Sequence, residues 1–300
     1  MTPPRAGDDD RTRAWSDDLR RELESRLGPT VADTVWVTGS VGRGEAVPGS
    51  DLESLAVVDH RDPRAVRRAV AATDLSTPPW YAETSAASAA DPRFVRTRAG
   101  WSTAAEGWAD APARNLGVVH LGLLADARPL TDDRRDPDLL PRMAVDAVRA
   151  HPAVLADVLA DALSTRASVP SRLGRTFRGD PVVDLKTAVI TPVVKIARWS
   201  ALRAGVATTS TGSRLELAAD PDLLPPDRWE SLRVAARFVT GLRWDVRLRA
   251  DPDGPGTDRV PLSVLTTTER AGLRSVAREI SGVQRALDYL RSAGQIRDPG

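Results

Sequence analysis

Three hundred residues, 41% hydrophobic and 28% charged, have the composition of one large or two ordinary globular domains with a sizeable core. No apolar run approaches the roughly 20 residues that cross a bilayer, and the opening MTPPRAGDDDRTR lacks the apolar stretch of a secretory signal, so a cytoplasmic protein is the expectation. A formal net charge of +1 offers no global field for nucleic acid or anionic membrane, and zero cysteines exclude disulfides and thiolate metal sites.

Along the chain, an opening helix is expected from about Asp10 to Leu27, with Leu19, Leu23 and Leu27 on one face and Gly28-Pro29 ending it. Two apolar strands, Val35–Val37 and Leu55–Val58, then flank a Gly/Ser turn. Pro63–Ala72 reads as a helix with Pro63 in its first turn. Asp74–Gly100 has no period and reads as an irregular flap. Trp101–Ala109 reads as a short helix, with Trp101, Ala104, Ala105 and Trp108 sharing a face, and Val118–Leu124 as a third strand ending at Asp126 and Arg128. Beyond Pro129 no further strand is expected. Helical periods cover about Leu139–Ala150, Pro152–Arg166, Val182–Ala204, Arg228–Arg249 and Thr267–Ser292, with DPDGPGTD at Asp251–Asp258 as a surface loop. The chain therefore divides near residue 130 into an α/β front and an all-helical back.

The chemistry concentrates in VWVTGSVGRGEAVPGSDLESLAVV, Val35 to Val58. Residues two apart on a strand share a face, so Asp51 and Glu53 project together from the start of the second strand. Paired carboxylates repel unless a cation lies between them, and oxygen donors of this kind suit Mg²⁺. Gly39 and Ser40 supply a tight turn, N–H groups and a hydroxyl for a phosphate, and Arg43 a guanidinium fork. A two-metal site wants a third carboxylate. Asp126 is the candidate because it follows the next expected strand, while its spacing equally suits a turn acid paired with Arg128. In the back half Asp184, Thr191, Lys195 and Arg198 fall in one polar stripe of a helix that otherwise carries Leu185, Val189, Val193 and Ile196; Pro192 should kink it, and Lys186 lies on the opposite side. His60, His120 and His151 lack metal-ligand spacing, although strand alternation would put His120 on the face of Asp126.

The segment GSVGRGEAVPGSDLES resembles the signature of the DNA polymerase β-like nucleotidyltransferase superfamily, and looks most like the branch of PII-protein uridylyltransferases and their bacterial relatives. The runs FRGDPVVDLKTAVITPVVKIARWSALRAGVATTSTGSRLELA, LRVAARFVTGLRWDVRL and PLSVLTTTERAGLRSVAREISGVQRAL are similar to the helical substrate-binding domain of those relatives. The resemblance implies an α+β fold: a catalytic domain with a small mixed sheet over residues 1–130, then a helical bundle over 131–300. It implies an NTP as substrate, two Mg²⁺ ions, an acceptor hydroxyl that a protein could carry, and release of pyrophosphate. Carried over by position, Gly39, Ser40 and Arg43 become triphosphate contacts, Asp51, Glu53 and Asp126 metal ligands, and Asp184, Lys186, Arg198, Thr211 and Arg214 substrate contacts, joined by Lys195 from the polar stripe. Glu53 stands where relatives more often carry Asp, Ser54 where an amide is common, and LRWDVRL where a His-Gln pair is usual. Those departures motivate a rival reading, a nucleotide-binding regulatory protein without chemistry. Polynucleotide end-addition would need a basic groove, which the balanced charge argues against.

Overall fold

The computed structural model describes residues 8–73, 87–114, 116–132, 136–170, 180–250 and 257–296. Helix α1 (Asp8–Leu27) buries Leu19 and Leu23 as its period requires and closes at Gly28, whose φ of +71° suits glycine. The short α2 (Pro29–Ala32) leads into β1 (Val35–Thr38), the single turn α3 (Gly39–Gly42) and β2 (Glu53–Val57). Strands β1 and β2 pair antiparallel, Trp36 opposite Leu55 and Thr38 opposite Glu53. Strand β3 (Val95–Arg96) adds in parallel to β2, and β4 (Arg128–Pro129) antiparallel to β1, so the order is β3-β2-β1-β4 in a small mixed sheet.

Alternation along these strands feeds two cores. Val35, Val37, Ala56 and Val58 pack with α1 and with Val66 and Val70 of α4 (Pro63–Ala72). Trp36, Leu55 and Val57 face the other way, joining α5 (Arg98–Asp110), α6 (Gly117–Ala125) and the helical back half in one continuous core. That half comprises α7 (Leu139–Ala150), α8 (Val154–Ser164), α9 (Thr191–Ala204), α10 (Thr211–Leu217), α11 (Pro226–Ala250) and α12 (Thr267–Ser292). Trp101 of α5 anchors the sheet to this core, its indole N–H donating to the Ala56 carbonyl at 2.8 Å.

Four expectations need correction. Val118–Leu124 is not a strand but most of α6; Gly117, Leu121, Leu124 and Ala125 are buried at the spacing of a helix face. Glycines at 117 and 122 let it approach its neighbours, since a Cβ on Gly117 would lie 2.7 Å from the Trp108 carbonyl oxygen. The back half is not strand-free: β5 (Val182–Asp184) and β6 (Arg259–Pro261) pair antiparallel. The helix expected from Val182 begins as that strand, continues as a π-helical turn over Lys186–Ile190, and becomes α9 with Pro192 in its first turn instead of at a kink. Asp258, expected in a surface loop, is mostly buried against Arg243 and Arg247. Residues 74–86 of the expected flap and 251–256 of the expected loop lie outside the described residues. No helix among the described residues is long and apolar enough to cross a membrane.

Candidate functional site between the sheet and the helical half

The turn after β1 is shaped by close approach. Gly39 adopts φ +62°, and a Cβ there would lie 1.9 Å from Oε2 of Glu53, so the Glu53 carboxyl rests directly on the turn. A Cβ on Gly42 would lie 2.1 Å from the Asp126 carbonyl oxygen and 2.8 Å from that of Val37. Only glycine lets the single turn α3 sit this tightly on β1 and on the chain leaving α6. Asp51 and Glu53 flank Leu52, which is buried in the front core, and both carboxylates line one cleft of about 250 Å³.

Gly39, Ser40, Arg43 and Asp126 share that cleft, and across it stand Lys186, Lys195, Arg198 and Arg243 of the helical half. The Lys186 Nζ donates to Asp51 Oδ2 at 2.8 Å. It reaches there because strand and π-helical turn replace the ideal helix that would have turned it away. Lys195 pairs with Asp161 of α8 at 2.8 Å. Asp184, Thr211 and Arg214 do not line the cleft. Asp184 caps its own turn by accepting from the Thr187 N–H at 2.9 Å.

Asp126 is the hub of the site. It caps the C-terminus of α6, is 1% exposed, and accepts from three guanidinium groups: Arg43 at 2.5 Å, Arg198 at 2.6 Å and Arg214 at 2.7 Å. Arg128, the partner its spacing allowed, pairs with Asp17 instead. Burial opposes ionisation of Asp126, but Arg198, Arg43 and Arg214 outweigh it and hold the carboxyl well below the usual carboxylate range. Gly122 makes room for one of them, since a Cβ there would lie 2.8 Å from the Arg198 guanidinium. Arg214 also donates to the Ala125 and Thr208 carbonyls, at 2.6 and 2.8 Å. Burial pulls the Arg43 guanidinium down, but Asp126 and Glu45 outweigh it, and the group is held above its ordinary value.

Two stitches escaped the sequence reading. Glu45 accepts from Arg43 Nε at 2.8 Å and from the Thr211 backbone N–H at 2.7 Å, tying α3 to α10. Its signal was present in the Arg-Gly-Glu element. Arg247 donates to the Pro48 carbonyl at 3.0 Å and pairs with Asp258 at 3.2 Å, holding the turn before Asp51 against α11. His120, carried on a helix instead of a strand, packs against Trp108 and Phe94, with ring centroids 4.8 and 5.8 Å away.

Glu53 is electrostatically the least comfortable acid here. Burial raises its pKa first; Arg43 and Lys186 pull it down, Asp126 and Asp51 push it up, and the net shift is upward. A hard divalent cation would relieve that strain, and the oxygen donors of Asp51 and Glu53 suit one. Asp126 fits less well, with its oxygens committed to three arginines, and no group of three His, Cys, Asp or Glu able to hold a metal ion occurs among the described residues. Five basic side chains (Arg43, Lys186, Lys195, Arg198, Arg243) and five acidic ones (Glu45, Asp51, Glu53, Asp126, Asp161) line the cleft, so it is not a basic groove.

The helical half forms one wall of this cleft, across from the acid pair. Residues 138–290 match the family described as "Putative nucleotidyltransferase substrate binding domain", and the chain belongs to it. The match begins close to the expected boundary at 130/131 and includes Lys186, Lys195, Arg198, Arg214 and Arg243. No curated protein matches the chain.

Proposed function

We propose that the chain is a nucleotidyltransferase of the polymerase β-like type, residues 1–130 forming its catalytic domain and 131–300 presenting the acceptor. The observation that carries this reading is convergence: Gly39, Ser40, Asp51 and Glu53 share one cleft with Lys186, Lys195 and Arg198 of the family segment. An NTP would lie with its phosphates toward Ser40 and the two lysines. Asp51 and Glu53 would hold Mg²⁺, which when bound supplies a Lewis acid that neutralises charge on phosphate oxygens. The acceptor hydroxyl attacks the α-phosphorus, the bond to the β-phosphate oxygen breaks, pyrophosphate leaves, and the hydroxyl proton passes to water. Arg43 and Asp126 act in this scheme as organisers of the cleft. Arg43 spends its guanidinium on Glu45 and Asp126, and Asp126 spends its carboxylate on arginines.

The test is to incubate the protein with Mg²⁺, cell extract and each α-labelled NTP in turn, beside Asp51→Asn. Label transferred by the wild type and lost in the variant supports the proposal; equal transfer by both refutes it. A second reading, an NTP-binding regulator without chemistry, is favoured by one observation: Lys186 already places a cation on Asp51. Saturable NTP binding with no pyrophosphate released on any acceptor would select it.

A further inference from the structure

The LRWDVRL segment of α11 carries two arginines that share one carboxylate. Arg243 donates to Asp258 through Nε and Nη2, the latter at 2.9 Å, and Arg247 pairs with the same acid at 3.2 Å. Both arginine side chains are 5% exposed and that of Asp258 is 12% exposed, so two cations and one anion lie together out of water. Burial opposes ionisation of Asp258, but Arg243 and Arg247 outweigh it and hold the carboxyl below its ordinary value. One positive charge is left in excess, which is costly at this depth unless something answers it. The backbone carbonyl of Asp258 accepts from the Leu185 N–H at 2.9 Å, which fixes the trio beside the π-helical turn that carries Lys186.

Arg247 turns to the Pro48 and Gly49 carbonyls, at 3.0 and 3.3 Å. Arg243 has no second set of acceptors. Among the described residues its Nη1 has no hydrogen-bond partner, and that nitrogen is not sealed from solvent. Arg243 lines the main cleft, whereas Asp258 and Arg247 do not. The guanidinium is therefore anchored along one edge by an acid outside the cleft, with Nη1 left for the cleft itself. Arg43 and Arg198 differ, because their shared acid, Asp126, lines the cleft with them. We infer that Arg243 is a phosphate-binding residue of the cleft, donating from Nη1 to an oxyanion of the nucleotide's phosphate chain. The inference rests on the NTP reading of the cleft and adds to it the guanidinium that Arg43, engaged by Glu45 and Asp126, was expected to supply.

The test combines calorimetry of the full chain with inorganic tripolyphosphate in EDTA and guanidinium Nε–H NMR spectra of the same titration. The Arg243 resonance is assigned by its loss in Arg243→Lys and in Arg243→Gln. Lysine keeps the charge and the pair with Asp258 but ends on one nitrogen, with no second donor edge to reach the cleft. The expected result is saturable binding by the wild type and a shift of the Arg243 resonance that follows the same curve. Binding should be about tenfold weaker in Arg243→Lys, as for a lost charge-assisted hydrogen bond. A resonance unmoved at saturation, or Arg243→Lys binding as tightly as wild type, overturns the inference and leaves the NTP reading standing. Absence of saturable binding by the wild type overturns both.

Discussion

Replacing Asp126 with asparagine separates two accounts of this carboxylate. It is 1% exposed, as is Arg214, and three guanidinium groups converge on it. Removing one partner of a buried ion pair costs about 3–5 kcal/mol, because the charges left behind stay desolvated. Asparagine keeps one acceptor oxygen, which sets the expectation near the lower end, about 3 kcal/mol. At roughly 2–4 °C per kcal/mol for a chain somewhat shorter than this one, the melting temperature should fall by on the order of 6 °C or more. The assay is thermal unfolding by circular dichroism at neutral pH, with urea titration alongside. A carboxylate kept mainly as a metal ligand predicts the reverse, since removing one of several mutually repelling acids relieves the apo protein. An Asp126→Asn melt equal to or above wild type would refute the hub. The pH dependence follows from the sign of the shift: a folded-state pKa held below the unfolded value gives stability that is present above the unfolded carboxylate pKa and lost as pH falls through the lower folded one. The hub should therefore survive mild acid.

Glu53 behaves oppositely. Its raised folded pKa means that stability falls as pH rises from the unfolded carboxylate value through the folded one, so Glu53→Gln should raise the neutral-pH melting temperature by roughly 2 °C and flatten its slope on the alkaline side of the unfolded carboxylate pKa; an unchanged profile would contradict this. Gly39→Ala adds a Cβ 1.9 Å from Glu53 Oε2 at a φ of +62°, and should cost about 1–2 kcal/mol from the left-handed backbone alone, read as a lower urea midpoint. Lys186→Met breaks a half-exposed pair (side chains 45% and 46% exposed), so the melting temperature should move by less than about 2 °C, while NTP affinity by calorimetry drops about tenfold. Equal NTP affinity would remove Lys186 from the proposed site.

Elements whose period and punctuation agreed were legible in the sequence. Helices α7 and α12 run from Leu139 to Ala150 and from Thr267 to Ser292 as the pattern required, the latter opened by a Thr266–Glu269 capping box. Strands β1 and β2 also lie close to where β-branched residues placed them. Helix α6 was misread because a short, mostly apolar segment headed by Val118 and Val119 satisfies strand and buried helix alike. Strands β5 and β6 are three residues each and exist only through pairing across a long stretch of chain, which no local pattern announces. Of the residues that line the cleft, Gly39, Ser40, Asp51 and Glu53 stood out in the sequence by their spacing, and Lys195 and Arg198 by helical periodicity. The role of Asp126 was not legible, because it depends on Arg198 and Arg214 arriving from more than seventy residues downstream. Lys186 contradicted ideal periodicity for a local reason, the π-helical turn that shifts its phase.

The small sheet has a consequence for how this chain can be cut. One of its faces, with Trp36, Leu55 and Val57, is roofed by the same core that holds α7 to α12, and α5 and α6 lie inside that core although they precede the family segment. A fragment beginning at 138 would lack Trp101, Leu121 and Leu124, and a fragment ending at 130 would leave them bare to water. The stretch that evolution passes on as a module and the stretch that can melt as one body therefore have different edges, and any exchange of the helical half between proteins has to carry the two helices ahead of it.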